Sequence, residues 1–126
     1  MQSTIKLDGK NVLVVEDDDM NFIYLNQIFK ITKGNVSRAK TGNQALEMVE
    51  NNTYDLILMD IQLPDINGNE VTRKIRATNA EIPIIAQTAG RTPMDAKASI
   101  AAGCNDILTK PFKINDFSRI VSSVLF

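Results

Sequence analysis

The stretch DLILMDIQLPDING, residues 55–68, contains the strongest indication of the fold. Its first five residues are almost continuously apolar, which is typical of a strand buried on both faces of a parallel sheet. Two further runs share this character, NVLVV at 11–15 and IPIIA at 82–86. Such strands need helices on both sides of the sheet to bury them, so the sequence predicts an α/β fold.

Two more short runs complete a regular alternation of five strands and five helical segments. The run VSRAK at 36–40 is more polar than the others and indicates an edge strand, and DILT at 106–109 is the last run. Thr41 and Gln44 fit a capping box at the start of the second helix. Thr92 is expected to cap the fourth helix after a loop made flexible by Gly90. Gly103 is expected to end that helix.

Length and composition indicate a single globular domain. The chain has 126 residues, of which 44% are hydrophobic and 23% charged. We expect residues 1–10 to be a short, polar, disordered lead-in and residues 11–126 to form the domain. Neither a signal peptide nor a membrane-spanning run is visible. The lone cysteine, Cys104, allows no internal disulfide, so we expect a cytoplasmic setting.

The charges exclude several classes of function. The net charge is −1 and the basic residues are scattered, so direct binding to nucleic acid is not expected. The chain contains no histidine, which excludes a histidine-based catalytic triad and imidazole metal ligands. Any chemistry must come from carboxylates, hydroxyls and lysine.

Polar residues follow four of the five strands where each strand ends. Strand 1 leads to Glu16 and Asp17, strand 3 to Asp60, strand 4 to Thr88 and strand 5 to Lys110. Parallel strands end at the same side of a sheet, so these side chains should converge there. Converging carboxylates repel one another unless a cation offsets their charge, and all-oxygen ligands favour Mg²⁺. The pattern indicates a site for phosphate chemistry with Asp60 as the nucleophile.

Simpler interpretations exist for each residue alone. An acidic run after a strand is often a solvated helix start, and we give this even weight for Asp18 and Asp19. An aspartate is commonly a turn former, a threonine a cap, and a lysine before proline a surface residue. Only the joint placement of five such residues favours a functional site.

The motifs VLVVEDD, DLILMDIQLPDING, IIAQTA and DILTKPF together resemble those of response-regulator receiver domains. The resemblance extends over roughly residues 10 to 125. It implies a flavodoxin-like (βα)5 three-layer sandwich, with a parallel five-stranded sheet in the order 2-1-3-4-5. The function it implies is that of a two-component signalling receiver, which catalyses only its own phosphorylation and dephosphorylation.

The resemblance also assigns roles to individual residues. Glu16, Asp17, Asp60 and the backbone carbonyl of Gln62 would bind Mg²⁺.

In the same scheme Asp60 is the phosphoacceptor, and Thr88 hydrogen-bonds the phosphoryl group. Lys110 pairs with that group, and its peptide bond to Pro111 is cis.

The implied partners are a sensor histidine kinase or a histidine phosphotransfer protein. The signal would reach the surface of helix 4, strand 5 and helix 5, through which receivers stay monomeric or form weak dimers. The flanking sequence resembles receivers of hybrid sensor kinases, which implies either the cytoplasmic part of a membrane-bound kinase or a stand-alone cytoplasmic receiver. One departure concerns Ile107, where receivers usually carry an aromatic residue that couples to Thr88.

Three alternatives stay open. A small aspartate-nucleophile phosphatase would need a second acid where this chain has Gln62. An FMN-binding flavodoxin-like protein would need hydroxyls and glycines where this chain has Glu16 to Asp19. A degenerate receiver that binds a partner without phosphorylation is supported only by Ile107.

Overall fold

The computed structural model describes residues 4–89 and 93–126, and within them the chain forms one parallel sheet between two layers of helices. The sheet order is β2-β1-β3-β4-β5, as predicted. The strands are β1 Asn11–Val15, β2 Asn35–Ala39, β3 Leu56–Asp60, β4 Ile84–Thr88 and β5 Asp106–Thr109. The helices are α1 Asp19–Thr32, α2 Gly42–Asn51, α3 Gly68–Thr78, α4 Pro93–Ala102 and α5 Ile114–Leu125.

Three strands are shifted along the chain from their predicted positions, each at both ends. β2 begins one residue earlier and β3 one residue later than expected, and β4 begins two residues later. The shift of β4 has a direct cause, because Pro83 has no N–H to donate to a neighbouring strand. Its carbonyl still accepts a hydrogen bond from Ile57 N at 2.9 Å. Asp60 and Thr88 are therefore the last residues of their strands and not the residues that follow them.

Side chains alternate along each strand and form a separate apolar core on each face of the sheet. The first core contains Val14, Leu58 and Leu108 from the sheet and packs against α1 and α5. The second contains Val15 and Met59 and packs against α2 and α3. The central strands β1 and β3 are thus held from both sides, which fixes the position of the residues at their ends.

The predicted helix boundaries hold where the structure describes them. The Thr41 hydroxyl accepts a hydrogen bond from Gln44 N at 3.0 Å, while the Gln44 side chain accepts one from Lys40 N and not from Thr41. Gly103 has φ +119°, the left-handed conformation expected of a residue that ends a helix. The expectations for Gly90 and Thr92 lie outside the described residues.

The lead-in is ordered in its described part, contrary to expectation. Leu7 is fully buried in the first core, and its backbone N–H donates to Thr32 O at 2.7 Å. Ile5 also packs against the first core, so two apolar side chains and a hydrogen bond to the end of α1 hold this segment, a signal that its polar composition hides. The boundary between residues 10 and 11 stays a prediction.

Gly68, the first residue of α3, lies against the backbone of β3. A Cβ at this position would lie 2.0 Å from the carbonyl oxygen of Asp60. The Gly68 N–H also donates to Ile61 O at 2.8 Å, so α3 begins in contact with the loop that follows Asp60.

We expect Gly68→Ala to lower the free energy of unfolding by about 3 kcal/mol, because backbone atoms must move to admit the methyl group. Urea unfolding followed by circular dichroism measures this. Gly34→Ala is the matched control, since its Cβ would meet side-chain atoms of Phe29 at 3.1 Å and Leu7 at 3.4 Å and no backbone, and should cost less than about 1 kcal/mol. Equal losses in the two variants would contradict the proposed backbone clash.

Candidate functional site

Three carboxylates converge at the carboxyl ends of β1 and β3. Glu16, Asp17 and Asp60 each offer an oxygen, and these oxygens lie within 4.8 Å of one another. Glu16 and Asp60 are buried, whereas Asp17 is exposed. The carboxylates line a cleft of about 470 Å³, whose lining also includes the other predicted site residues, Gln62, Thr88 and Lys110. The structure therefore brings all six predicted residues together.

Lys110, which follows the edge strand β5, reaches across the cleft to the carboxylates at the ends of β1 and β3. Its Nζ lies 3.2 Å from Glu16 Oε1 and 3.3 Å from Asp60 Oδ2, so one ammonium pairs with two carboxylates. The lysine side chain is itself mostly buried, which strengthens these contacts relative to a surface ion pair. Its peptide bond to Pro111 is cis, as expected.

The loop after β1 is held by short-range hydrogen bonds. The Asp18 N–H donates to Glu16 Oε2 at 3.2 Å, and the Asp18 side chain caps α1 by accepting from Met20 N at 2.9 Å. Asp19 lies in the first turn of α1 and pairs with Arg38 at 2.9 Å. For Asp18 and Asp19 the simpler interpretation, a helix start, is thus confirmed.

Arg38 on β2 is a supporting residue that sequence reasoning missed. Its Nε donates to the carbonyl oxygen of Glu16 at 3.0 Å, and its guanidinium stacks 4.5 Å from the centre of the Phe22 ring. Together with the pair to Asp19, these contacts tie the β1–α1 loop to the edge strand. The polar character of β2 was visible in the sequence, but only the structure shows that Arg38, paired with Val14 in the strand register, reaches the Glu16 carbonyl.

The loop after β3 is fixed by two carboxylates. The Gln62 N–H donates to Asp60 Oδ1 at 3.2 Å, which holds the side chain of Asp60 in place. Asp65 accepts from the N–H groups of Gly42 and Asn43 at 2.8 and 2.9 Å, joining the loop to the start of α2. These bonds lower the pKa of Asp65. The role of the Gln62 carbonyl as a metal ligand stays a prediction.

Glu16 has an unusual electrostatic environment. The pKa of its carboxyl is raised from 4.5 to about 7, chiefly by burial and also by a hydrogen bond to Asp60 and repulsion by that carboxylate. Lys110 and the N–H of Asp18 oppose this rise without cancelling it. The cluster thus carries more negative charge than the lysine offsets.

This donor set fits a divalent cation. Three carboxylate oxygens within 4.8 Å, with one ammonium as counter-charge, leave a net negative site made of oxygen ligands. Mg²⁺ prefers such ligands and needs only one or two carboxylates beside water. The cluster therefore fits a magnesium site.

Two further observations concern the whole chain. Ile107, which departs from the expected aromatic residue, packs part-buried against the second core. In the described part of the chain, no helix is long and apolar enough to cross a membrane.

The fold and the site together define a flavodoxin-like α/β domain with an acidic, cation-adapted cleft at the carboxyl ends of its strands. The chain belongs to the response regulator receiver domain family, which matches residues 12–122. It is thus a receiver domain of two-component signalling.

Relatives occur both as long sensor proteins and as short regulators. The aerobic respiration control sensor protein ArcB of Escherichia coli is 33% identical over 122 residues, which cover 95% of this chain and 16% of that protein. The polar-differentiation response regulator DivK of Brucella ovis is 32% identical over 118 residues, covering 92% of this chain and 96% of DivK. The chain thus spans about a sixth of one relative and nearly all of the other.

Solved structures agree with this family. The receiver domain of a sensor histidine kinase from Pseudomonas aeruginosa, with a magnesium ion coordinated in its active-site cleft, superposes with a TM-score of 0.86 at 36% identity. That match covers 93% of this chain and 98% of the other. The receiver domain of Ssk1 from Saccharomyces cerevisiae, crystallised with the histidine phosphotransfer protein Ypd1, has a TM-score of 0.86 at 29% identity, covering 98% and 92%.

The raised pKa of Glu16 predicts how stability depends on pH without metal. Below pH 4.5 the carboxyl is protonated in both the folded and the unfolded chain, and above about pH 7 the folded chain must hold it charged. We therefore expect the free energy of unfolding in EDTA to fall by about 2–3 kcal/mol between pH 5 and 8. Urea unfolding at a series of pH values measures this.

Glu16→Gln is the matched control, because it keeps the shape and removes the titration. Its stability should change less over this range than that of the wild type, and Mg²⁺ should stabilise the wild type more at pH 8 than at pH 5.5. Parallel pH curves for the two proteins would refute this assignment.

Proposed function

We propose that Asp60 accepts a phosphoryl group from a phosphohistidine, donated by a sensor histidine kinase or a histidine phosphotransfer protein, in a Mg²⁺-dependent reaction. The observation that carries this proposal is the position of Lys110 Nζ between Asp60 and Glu16 in an open cleft. A structural ion pair needs no such cleft. A phosphoryl acceptor does, because the incoming group must reach the carboxylate.

In the proposed reaction an Asp60 carboxylate oxygen attacks phosphorus. The new O–P bond forms as the N–P bond to the donor histidine breaks, and the imidazole leaves with the electron pair. Lys110 and the Thr88 hydroxyl contact the phosphoryl oxygens, and Gln62 N keeps the carboxylate oriented. Water later attacks phosphorus, the Asp60 O–P bond breaks, and inorganic phosphate leaves as the Asp60 carboxylate is restored.

The metal ligands in this proposal are Glu16, Asp17, Asp60 and the carbonyl oxygen of Gln62. When bound, the cation supplies positive charge that offsets the developing charge on the phosphoryl oxygens. Asp17 is the exposed member of the set and can bind metal without the desolvation that affects Glu16.

We expect a mass gain of one phosphoryl group when the protein is incubated with Mg²⁺ and acetyl phosphate or a phosphorylated histidine kinase. Asp60→Asn and EDTA should each abolish it, because they remove the nucleophile and the cation. Intact-protein mass spectrometry checks this. Asp19→Asn is the control, as Asp19 pairs with Arg38 at the edge of the site and should leave labelling intact.

The other outcomes identify the rivals. Absence of labelling from every donor would refute phosphoacceptance and leave a binding module. Turnover of an unrelated phosphate ester would indicate a phosphatase.

The surface for the phosphohistidine partner lies on α1 beside the cleft. Met20, Ile23 and Tyr24 are exposed near the start of this helix, on the side away from its buried stripe. Tyr24 and Phe112 line a hollow of about 300 Å³ next to Lys110. An apolar patch beside a reactive carboxylate suits a donor that must bring its histidine to Asp60, and the Ssk1 receiver was crystallised with such a partner.

The responding surface in this proposal is formed by α4, β5 and α5. Met94 and Ile100 on α4 are exposed, as expected for a surface that binds a partner or forms a weak dimer with a second receiver. Cytoplasmic location, within a hybrid kinase or alone, accords with phosphohistidine donors and stays a prediction.

We expect Ile23→Glu to lower the rate of phosphotransfer from a phosphorylated histidine phosphotransfer protein at least tenfold, because a charge would lie in an apolar contact. Labelling by acetyl phosphate, which needs no docking, should stay within twofold. Ile31→Glu is a matched control, since Ile31 is 53% exposed against 52% for Ile23 and lies two turns further along α1. Equal losses for Ile23→Glu and Ile31→Glu would exclude this surface.

A further inference from the structure

Gln87 on β4 is a polar side chain without an evident structural role. It is fully buried, and among residues 4–89 and 93–126 neither its Oε1 nor its Nε2 has a hydrogen-bond partner. An unpaired buried amide destabilises a folded protein, because it loses its hydrogen bonds to water and gains none. Such groups are rare and need an explanation, which a functional role can supply.

The strand register places Gln87 beside Asp60. The Cα atoms of Asp60 and Gln87 are partners across β3 and β4, and Gln87 is the partner of Leu108 on β5. Side chains alternate along a strand, so Gln87 lies on the same face as Ile85, and Asp60 on the same face as Leu58. Ile85 and Leu58 both belong to the first core. The amide and the phosphoacceptor are therefore neighbours on one face of the sheet.

The path of Lys110 leads across this position. Lys110 follows β5, yet its Nζ forms ion pairs with Asp60 at the end of β3 and with Glu16 after β1. Because β4 lies between β5 and β3, the lysine side chain must cross the end of β4. Its Nζ ends 3.3 Å from Asp60 Oδ2, and alternation along the strands assigns the Asp60 side chain to the same face as Gln87.

We propose that Gln87 is a positioning residue for Lys110, whose ammonium donates to Gln87 Oε1 when a phosphoryl group occupies Asp60. This inference rests on the proposed phosphoacceptor function. An ammonium has three N–H donors; Glu16 accepts one of them at 3.2 Å, and Asp60 Oδ2 forms an ion pair with Nζ at 3.3 Å. Phosphorylation of Asp60 requires the ammonium to turn toward the phosphoryl oxygens.

The chemistry of an amide suits this task. A neutral carbonyl oxygen accepts a hydrogen bond from the ammonium without neutralising its positive charge. That positive charge stays available to the phosphoryl oxygens. A further carboxylate would instead add to the repulsion between Glu16 and Asp60. A leucine or methionine would pack equally well and offer no comparable acceptor.

Gln87→Met tests the proposal, because methionine has a similar unbranched shape and only a weakly accepting sulfur. Leu108→Met is the packing control, placed beside Gln87 in the same row of the sheet. For each protein we would measure resistance to urea, Mg²⁺ affinity by calorimetry, and the kinetics of labelling by acetyl phosphate at saturating Mg²⁺. The kinetics give the maximal rate and the half-saturating acetyl phosphate concentration separately.

For Gln87→Met we expect resistance to urea at least equal to that of the wild type, since the unpaired amide is gone. Mg²⁺ affinity and half-saturation should stay within twofold, while the maximal rate falls about tenfold, because a hydrogen bond to a charged group is lost. Leu108→Met should keep the wild-type rate. A purely structural role for Gln87 would not separate the maximal rate from the stability in this way.

A maximal rate for Gln87→Met within twofold of the wild type would overturn the inference and leave the proposed function intact. Absence of labelling in the wild type would instead refute the proposed function, and the inference with it. If Gln87→Met does not fold, Gln87→Leu takes its place under the same criterion.

Discussion

The burial of Glu16 is the constraint on which the arrangement of the site depends. A fully buried carboxylate at the end of a central strand must be protonated or paired, because the surrounding core cannot solvate its charge. Lys110 provides the nearest positive charge, and it reaches Glu16 only by crossing the sheet from β5. The charges that balance one another in the site thus come from the ends of β1, β3 and β5, which are far apart in the sequence.

The apolar sheet supports this balance by holding its members still. β1 and β3 are packed on both faces, so the carboxylates of Glu16 and Asp60 cannot move apart to relieve their repulsion. The loops add further restraint, with Arg38 on the backbone of Glu16 and Gly68 against the backbone of Asp60. Relief must therefore come from a proton or a cation, which makes the electrostatic state of the cleft responsive to its ligands.

Local patterns in the sequence were sufficient for the strands and for the polar residues at their ends, whereas the sheet order and the role of Gln62 came from the family resemblance. Apolar runs identified the strands, and the residues at their ends converged as parallel topology requires. What the sequence could not supply was register. Neither the contact of Arg38 with Glu16 nor the position of Gln87 beside Asp60 follows from spacing along the chain, since each depends on pairing between strands.

The sequence led to a wrong expectation for the segment before β1 and to an incomplete one for Ile107. The polar segment before β1 is anchored by Leu7 and, in part, by Ile5, and an average over ten residues does not reveal such anchors. Ile107 shows the opposite limitation. Its departure from the usual aromatic residue is visible in the sequence, but its structural consequence depends on packing. In the structure Ile107 packs against the second core. Its branched aliphatic side chain fills space there and carries no polar group that could change hydrogen-bond partners.

The completeness of the cleft within one chain bears on how such domains are used. Every member of the acidic cluster and the lysine come from one sheet, so no second subunit is needed to assemble them. A site of this kind keeps its geometry whatever is joined to the domain. The chain is similar both to DivK, which it nearly matches in length, and to ArcB, of which it spans a sixth. Exposed apolar side chains such as Ile23 on α1 and Ile100 on α4 lie outside the acidic cluster, so they contribute nothing to the charge balance inside it.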